Sequence, residues 1–318
     1  VEGASVSGLR LVLAAIAVAG GFLSAVLASR RAVANTVELA AGTRIPRFVI
    51  GFTLLAVGTD LPEIANSIAS SVTGHGDLNV GDSVGSTATQ VTLVLGLLPI
   101  IAAASFAISR RRFVRVGALT VVALLLGAAL MLDGHVSRTD ALILLAMWAV
   151  GSVLTFSRAP QGTQLDLPLA ARGKLAKVGV VLVALAVVGV GALSAVWGMT
   201  VLAEAMSVPE YVIAFFGASI GTSLPELIVE FTAVRQGQSE LAIGDALGSS
   251  FVDATLSIGA GPLIAPVAVT SSLVVRGSLT AAGAVVMVVA LLAARRRHDW
   301  VTGLVLVLIY LAFYFLLV

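Results

Sequence analysis

The sequence predicts an all-α polytopic membrane protein with ten transmembrane helices in two inverted five-helix repeats. Three observations predict it. The 318 residues are 58% hydrophobic and only 11% charged, with a mean hydropathy of +1.07, far from the balance of a water-soluble domain. Apolar stretches close to the ~20 residues that cross a bilayer recur along the whole chain. The chain also matches itself: a shift of 163 residues aligns 45–103 with 208–266 without a gap, and 21 of the 59 pairs are identical.

Taken in order, the expected spans lie near 8–28, 47–72, 79–107, 114–132, 138–157, 175–199, 208–233, 241–266, 273–294 and 299–317. The first follows Glu2 with neither a basic leader nor a small-residue cleavage site, so it reads as a retained helix. After it, RAVANTVELAAG (31–42) extends that helix or lies along the interface before the GTRIP turn. The second and seventh spans contain Pro62 and Pro225, and the third and eighth begin with the second half of the repeated motif. Arginines and lysines follow the odd-numbered spans: Arg30, Arg31, Arg44 and Arg47, then Arg110, Arg111, Arg112 and Arg115, then Arg158, Arg172, Lys174 and Lys177, then Arg235, and finally Arg295, Arg296 and Arg297. That puts 16 of the 19 basic residues on one side, with Arg10, Arg138 and Arg276 opposite, so both termini are expected outside. The +2 net charge is therefore a topology signal, and no nucleic-acid partner is expected.

The expected organisation is a first repeat over 1–157, a short cytoplasmic linker over 158–174 and a second repeat over 175–318. The linker is too short for a folded regulatory domain. Five spans per repeat is an odd number, so the two copies enter the membrane in opposite directions. Inverted repeats with paired Gly/Pro-interrupted helices are the signature of a secondary transporter whose site lies near the midplane.

The matched cores are GTDLPE (58–63) with GTSLPE (221–226), and VGDSVGS (80–86) with IGDALGS (243–249). A proline lacks an N–H and clashes with the preceding turn, so Pro62 and Pro225 break or kink their helices and free nearby carbonyls. Such gaps survive at membrane depth only where protein or a water-lined cavity satisfies them. Glu63 and Glu226 follow directly, each at a cost on the order of 3 kcal/mol at a helix centre. Thr59 and Thr222 stand one turn before them, and Ser86 and Ser249 stand four residues before Gln90 and Asp253, so each pair shares a helix face. Cys is absent and there are only three His, which leaves oxygen ligands suited to hard cations such as Na+ and Ca2+. His75, His135 and His298 fall in expected loops and read as solvated surface residues. No cofactor is expected.

GTDLPE…GDSVGS and GTSLPE…GDALGS resemble the α-repeats of the cation/Ca2+ antiporter superfamily, whose usual form is GTSxPE followed by GNxxGSN. The resemblance implies a Na+/Ca2+ exchanger-like chain in its minimal prokaryotic form, set in the cell (inner) membrane, with inorganic cations and the bilayer as partners. It also implies that Thr59, Glu63, Ser86, Thr222, Ser223, Glu226, Ser249 and Asp253 line the ion sites, with Glu63 and Glu226 as the central Ca2+ ligands. Asp60 and Gln90 join them as departures: Asp60 replaces the hydroxyl that the second repeat keeps as Ser223, and Gln90 stands opposite Asp253. Thr87 and Ser250 stand where the usual form ends in Asn. Asp82 and Asp245 replace the Asn of the GN pair and read as helix N-terminal caps ahead of ion ligands. Glu230 is matched by Ser67 and reads as peripheral or structural.

Asp60, Glu63, Glu226 and Asp253 place four potential negative charges around one cavity, of which a single Ca2+ balances two. Some are then protonated, or further cations bind with it. The expected function is Na+/Ca2+ antiport by alternating access. The spans near 8–28 and 175–199 are the expected mobile gates, carrying no buried charge apart from Arg10 at the mouth of the first. A proton-coupled exchanger of Ca2+ or another divalent cation is the alternative, and K+ coupling stays open. A channel built on acidic rings is the alternative of another class. No Ser/His, Ser/Lys or HExxH arrangement suggests an enzyme. The driving ion, stoichiometry and oligomeric state are not set by the sequence.

Overall fold

The computed structural model describes residues 8–39, 52, 56–157, 174–235 and 237–317. It is mostly helical, with α1 (Gly8–Leu39), α2 (Ala56–Thr59), α3 (Leu61–Thr73), α4 (Gly76–Thr89), α5 (Leu95–Ile101), α6 (Arg110–Leu130), α7 (Arg138–Ser157) and α8 (Lys174–Met206) in the first part of the chain. There follow α9 (Glu210–Ile213), α10 (Ser219–Thr222), α11 (Leu224–Arg235), α12 (Ser239–Val252), α13 (Ile258–Ile264), α14 (Ser271–Arg295) and α15 (Trp300–Leu317). Many of these run on into one another. Wide π turns at Gln90–Val94, Ala214–Ala218 and Asp253–Ser257 join α4 to α5, α9 to α10 and α12 to α13.

Eight helices among the described residues are long and apolar enough to cross a membrane. The second and tenth expected spans are not among them. Most of 40–55 lies outside the described residues, and α15 (Trp300–Leu317) counts among the shorter apolar helices, over Trp300–Phe313. The expected linker also lies outside, up to its last residue, Lys174. The stretch after the first span continues α1 as far as Leu39, which decides between the two expected placements for residues 31–39.

Two short antiparallel pairs tie the halves of the chain together at helix ends. They are β1 (Phe106–Ala107) with β4 (Arg297–His298), and β2 (His135–Val136) with β3 (Val267–Ala268). The largest apolar cluster takes side chains from both halves, among them Phe52, Val84, Phe113, Phe215, Phe251 and Val285. Helices α1 and α8 stand apart from that cluster. They lie side by side along their lengths and rest mainly on α3. At their crossing a methyl group on Gly21 would collide with the Gly191 carbonyl, and one on Gly191 with the Gly21 carbonyl, so glycine at both positions lets the backbones touch. Their outer faces present Leu9, Val12, Ile16, Leu182, Val183 and Val190, as a lipid-facing surface requires. Arg10 is exposed rather than buried and lies 4.0 Å from Glu204.

Helix-interior prolines explain one buried polar network. Pro99 has no N–H, so the carbonyl of Leu95, four residues earlier, loses its helical partner. His298 replaces it: Nε2–H donates to the Leu95 oxygen at 2.8 Å, while Nδ1 lies 2.7 Å from Thr302 Oγ1. Pro262 frees the Ile258 carbonyl in the same way, and Asn79 Nδ2 donates to it at 3.1 Å. The expectation of a solvated His298 is thus corrected, since the ring is fully buried. His75 is half-buried against Glu210 at 2.9 Å, and His135 is exposed as expected. Burial holds the His298 imidazole below its ordinary pKa, against the Leu95 carbonyl and Asp299. The folded protein therefore favours the neutral ring. This contribution is intact above the unfolded value of about 6.5 and is lost as pH falls through the lowered folded value. We expect His298→Ala to strand the Leu95 carbonyl and cost roughly 1–3 kcal/mol. Thermal unfolding near neutral pH reads the loss, and the gap from wild type narrows in acid.

Candidate cation site

The two GTxLPE segments interrupt their helices in the same way. Asp60, between α2 and α3, has φ −76° and ψ 8°, and Ser223, between α10 and α11, has φ −79° and ψ 7°. Each interruption is a single residue in the sparsely populated bridge region, followed at the second helical position by Pro62 or Pro225, where a missing N–H costs least. The proline then leaves the Gly58 or Gly221 carbonyl without an i+4 donor. Thr59 and Thr222 precede the breaks, and Glu63 and Glu226 occupy the first turns after them.

Tertiary packing brings the two breaks together. One carboxylate oxygen each from Asp60, Glu63 and Glu226 falls within 4.8 Å of the others. All three groups are fully buried, and none of their carboxylate oxygens has a hydrogen-bond partner among the described residues. The hydroxyls cross between repeats, with Thr59 Oγ1 3.3 Å from Ser249 Oγ and Ser86 Oγ 3.3 Å from Thr222 Oγ1. Helices α4 and α12 can come this close because Gly85 and Gly248 have no side chain. A methyl group on Gly85 would fall within 3.0 Å of the Phe215 backbone, and one on Gly248 within 3.0 Å of the Phe52 backbone. Phe52 and Phe215 are themselves repeat counterparts.

Asp253 opens the π turn after α12 and faces Glu63 and Glu226 electrostatically, its oxygens also unpartnered. Gln90 opens the corresponding π turn after α4, and its Oε1 accepts from Ser250 Oγ at 3.3 Å. The Ser223 hydroxyl is buried and has no partner. All ten candidate residues are therefore buried. The three-carboxylate cluster is tight, and among the described residues none of the other seven is tied to it by a hydrogen bond. The π turns were not legible in the sequence; such wide turns re-aim a side chain within a helix and recur at functional sites.

Three further acids belong to the same interior. Asp82 and Asp245 lie nearly two turns inside α4 and α12 and are fully buried, so the capping expectation is corrected. Asp82 accepts from Asn66 Nδ2 at 2.6 Å and from Thr222 Oγ1 at 3.1 Å. Asn66 went unnoticed in the sequence, although an amide inside an expected span, matched by Val229 in the other repeat, is a visible signal. Glu230 is likewise fully buried, which corrects its peripheral reading. Seven carboxyls are thus buried (Asp60, Glu63, Asp82, Glu226, Glu230, Asp245 and Asp253), and no Lys or Arg is buried with them among the described residues. Such an interior calls for positive charge that no basic side chain among the described residues supplies.

A family model described as sodium/calcium exchanger protein matches residues 13–157 and 176–318. The chain is 28% identical to the putative antiporter CaxA of Alkalimonas amylolytica, covering 96% of this chain and 99% of that protein. It is 28% identical to the inner membrane protein YrbG of Escherichia coli over 70% of this chain and 71% of that one. Among solved structures, the H+/Ca2+ exchanger CAX superposes with a TM-score of 0.75 at 19% identity, covering 95% of this chain and 82% of that one. The sodium-calcium exchanger NCX_Mj superposes at 0.62 and 24% identity, covering 95% and 97%. At those identities the superpositions speak to the fold alone.

Proposed function

The chain belongs to the sodium/calcium exchanger protein family, and from that membership we propose that it is a secondary active antiporter exchanging Na+ for Ca2+ across the cell membrane. The observation that carries the reading is the cluster of Asp60, Glu63 and Glu226, three buried carboxylates from both repeats with no basic partner among the described residues. Thr59, Ser86, Thr222, Ser223, Ser249, Gln90 and Asp253 complete the proposed oxygen cage. Several sodium ions or one divalent cation compete for it. Sodium ions, or one divalent cation together with protons on the remaining carboxyls, neutralise the cage, and only a neutral cage lets the bundle change its exposure.

In this reading the ten spans form two inverted repeats with both termini outside, and α1 with α8 moves across the rest of the bundle. Support comes from the apolar groove of about 520 Å³ beside α3, lined by Leu61, Ile64 and Ile68 on one side and Val188, Gly189 and Leu193 on the other. Rigid-body rocking of one bundle past another is the common mode of inverted-repeat carriers.

Proton coupling is the second reading, and Asp60 favours it, because a third carboxylate at this range cannot stay ionised when one divalent cation supplies only two charges. Uptake of 45Ca2+ into proteoliposomes preloaded with Na+, K+ or low-pH buffer tests both. We expect the Na+ gradient to drive uptake, and Asp60→Ser to lower any proton-driven component about tenfold, as a change of ~1.4 kcal/mol in proton affinity would. Uptake driven by neither gradient rejects the Ca2+ exchanger assignment. Uptake indifferent to the opposing ion points to a channel.

A further inference from the structure

We propose that Glu230 and Asp245 form a second cation site beside the Asp60/Glu63/Glu226 cluster, one that takes a single monovalent cation, sodium or a proton. Both side chains are fully buried, and all four of their carboxylate oxygens lack a hydrogen-bond partner among the described residues. They come from packed neighbours, α11 and α12, close enough for the charge of one to act on the other.

The first repeat shows what this position needs. There Asp82, the counterpart of Asp245, is held by two neutral donors, Asn66 at 2.6 Å and Thr222 at 3.1 Å. Ser67, the counterpart of Glu230, accepts from the Gly261 N–H at 3.0 Å. In the second repeat both donors are missing. Val229 replaces Asn66, and Thr59, the counterpart of Thr222, bonds the Ala56 carbonyl and Ser249 instead. A second carboxylate, Glu230, arrives where the first repeat has a hydroxyl.

The substitution thus adds one negative charge and removes the groups that would have stabilised the first. The other charged groups coupled to Asp245 are Asp60 and Glu226, both acids. No Lys, Arg or His pairs with Glu230 or Asp245 among the described residues. Two buried carboxylates whose charges act on each other cannot both stay ionised without a positive partner. One monovalent cation leaves the pair with the charge of a single carboxylate, matching the one carboxyl, Asp82, that the first repeat has there. Sodium would use the free carboxylate oxygens as ligands, and a proton would be shared between the two acids.

The inference rests on the antiporter reading for its place in a transport cycle, but its test does not require transport. Full-length protein in detergent is measured two ways: saturation binding of 22Na+ at fixed alkaline pH, and proton uptake without sodium between about pH 8 and pH 5. Wild type is compared with Glu230→Gln and with Val229→Asn/Glu230→Ser, which carries the first-repeat pair into the second repeat. We expect both variants to bind one cation fewer per chain, in the sodium arm or in the proton arm, and the arm that changes identifies the ion. Equal counts in wild type and in a variant that elutes as a single folded species overturn the proposal. Should Glu230→Gln fail to fold, the double variant decides by the same counts, since it restores neutral donors to Asp245. A wild type that binds the extra cation but exchanges no Ca2+ rejects the antiporter reading and leaves this site standing.

Discussion

Glu63→Ala and Glu226→Ala should each lower Na+-driven 45Ca2+ uptake by at least ~100-fold, the equivalent of roughly 3 kcal/mol in lost cation affinity. Each removes one of the three carboxylates whose oxygens converge within 4.8 Å. The isosteric variants sharpen the test. Glu63→Gln and Glu226→Gln keep the volume and remove a buried charge that no basic side chain among the described residues offsets, so the cation-free protein should be as stable as wild type or more so. The thermal unfolding midpoint without Ca2+ reads stability, and its rise on adding Ca2+ reads binding. A structural pair of glutamates would give the opposite pattern, with a lower midpoint and an unchanged Ca2+ response. Full exchange in either alanine variant means that the cluster is not the transport site.

Gly85→Val and Gly248→Val should cost the folded protein about 3 kcal/mol or more, enough to consume much of a typical stability margin. At both positions even a methyl group would fall within 3.0 Å of the opposing backbone, that of Phe215 or Phe52. Backbone cannot swing aside as a flexible side chain can, so α4 and α12 would have to separate from the facing segments. That separation would also pull apart the Ser86–Thr222 and Thr59–Ser249 contacts. Size-exclusion profiles and unfolding midpoints check the result. By contrast, Gly283→Ala on α14, where an added methyl meets nothing within 4 Å, should be silent.

How much of this was legible depended on which physical signal each residue carries. The breaks at Asp60 and Ser223 follow from a proline after a short polar run inside an apolar stretch, so GTDLPE and its twin announced them. The burial of Glu63 and Glu226 was legible too, because an acid repeated at membrane depth has few other uses. Asp82 and Asp245 were misread because distance from a helix start cannot be judged when the start itself is uncertain by a few residues. His298 was misread because a polar residue between two spans resembles any loop residue. Its burial depends on Pro99, two hundred residues away in sequence, freeing the carbonyl of Leu95.

The sequence by itself determined the membrane class, the doubled motif and the oxygen-rich chemistry, because composition and self-similarity are properties of the chain alone. The identity of the partners was decided only by the tertiary structure. Nothing in the local sequence says that Asn66 and Thr222 serve Asp82, that Thr59 reaches Ser249, or that Glu230 and Asp245 are buried on packed helices with no donor among the described residues. Such pairings are set where helices from both repeats cross, and the crossing is fixed by close packing at Gly85 and Gly248. A buried charge has an energy only with respect to what surrounds it, and those surroundings come into being when the two halves meet.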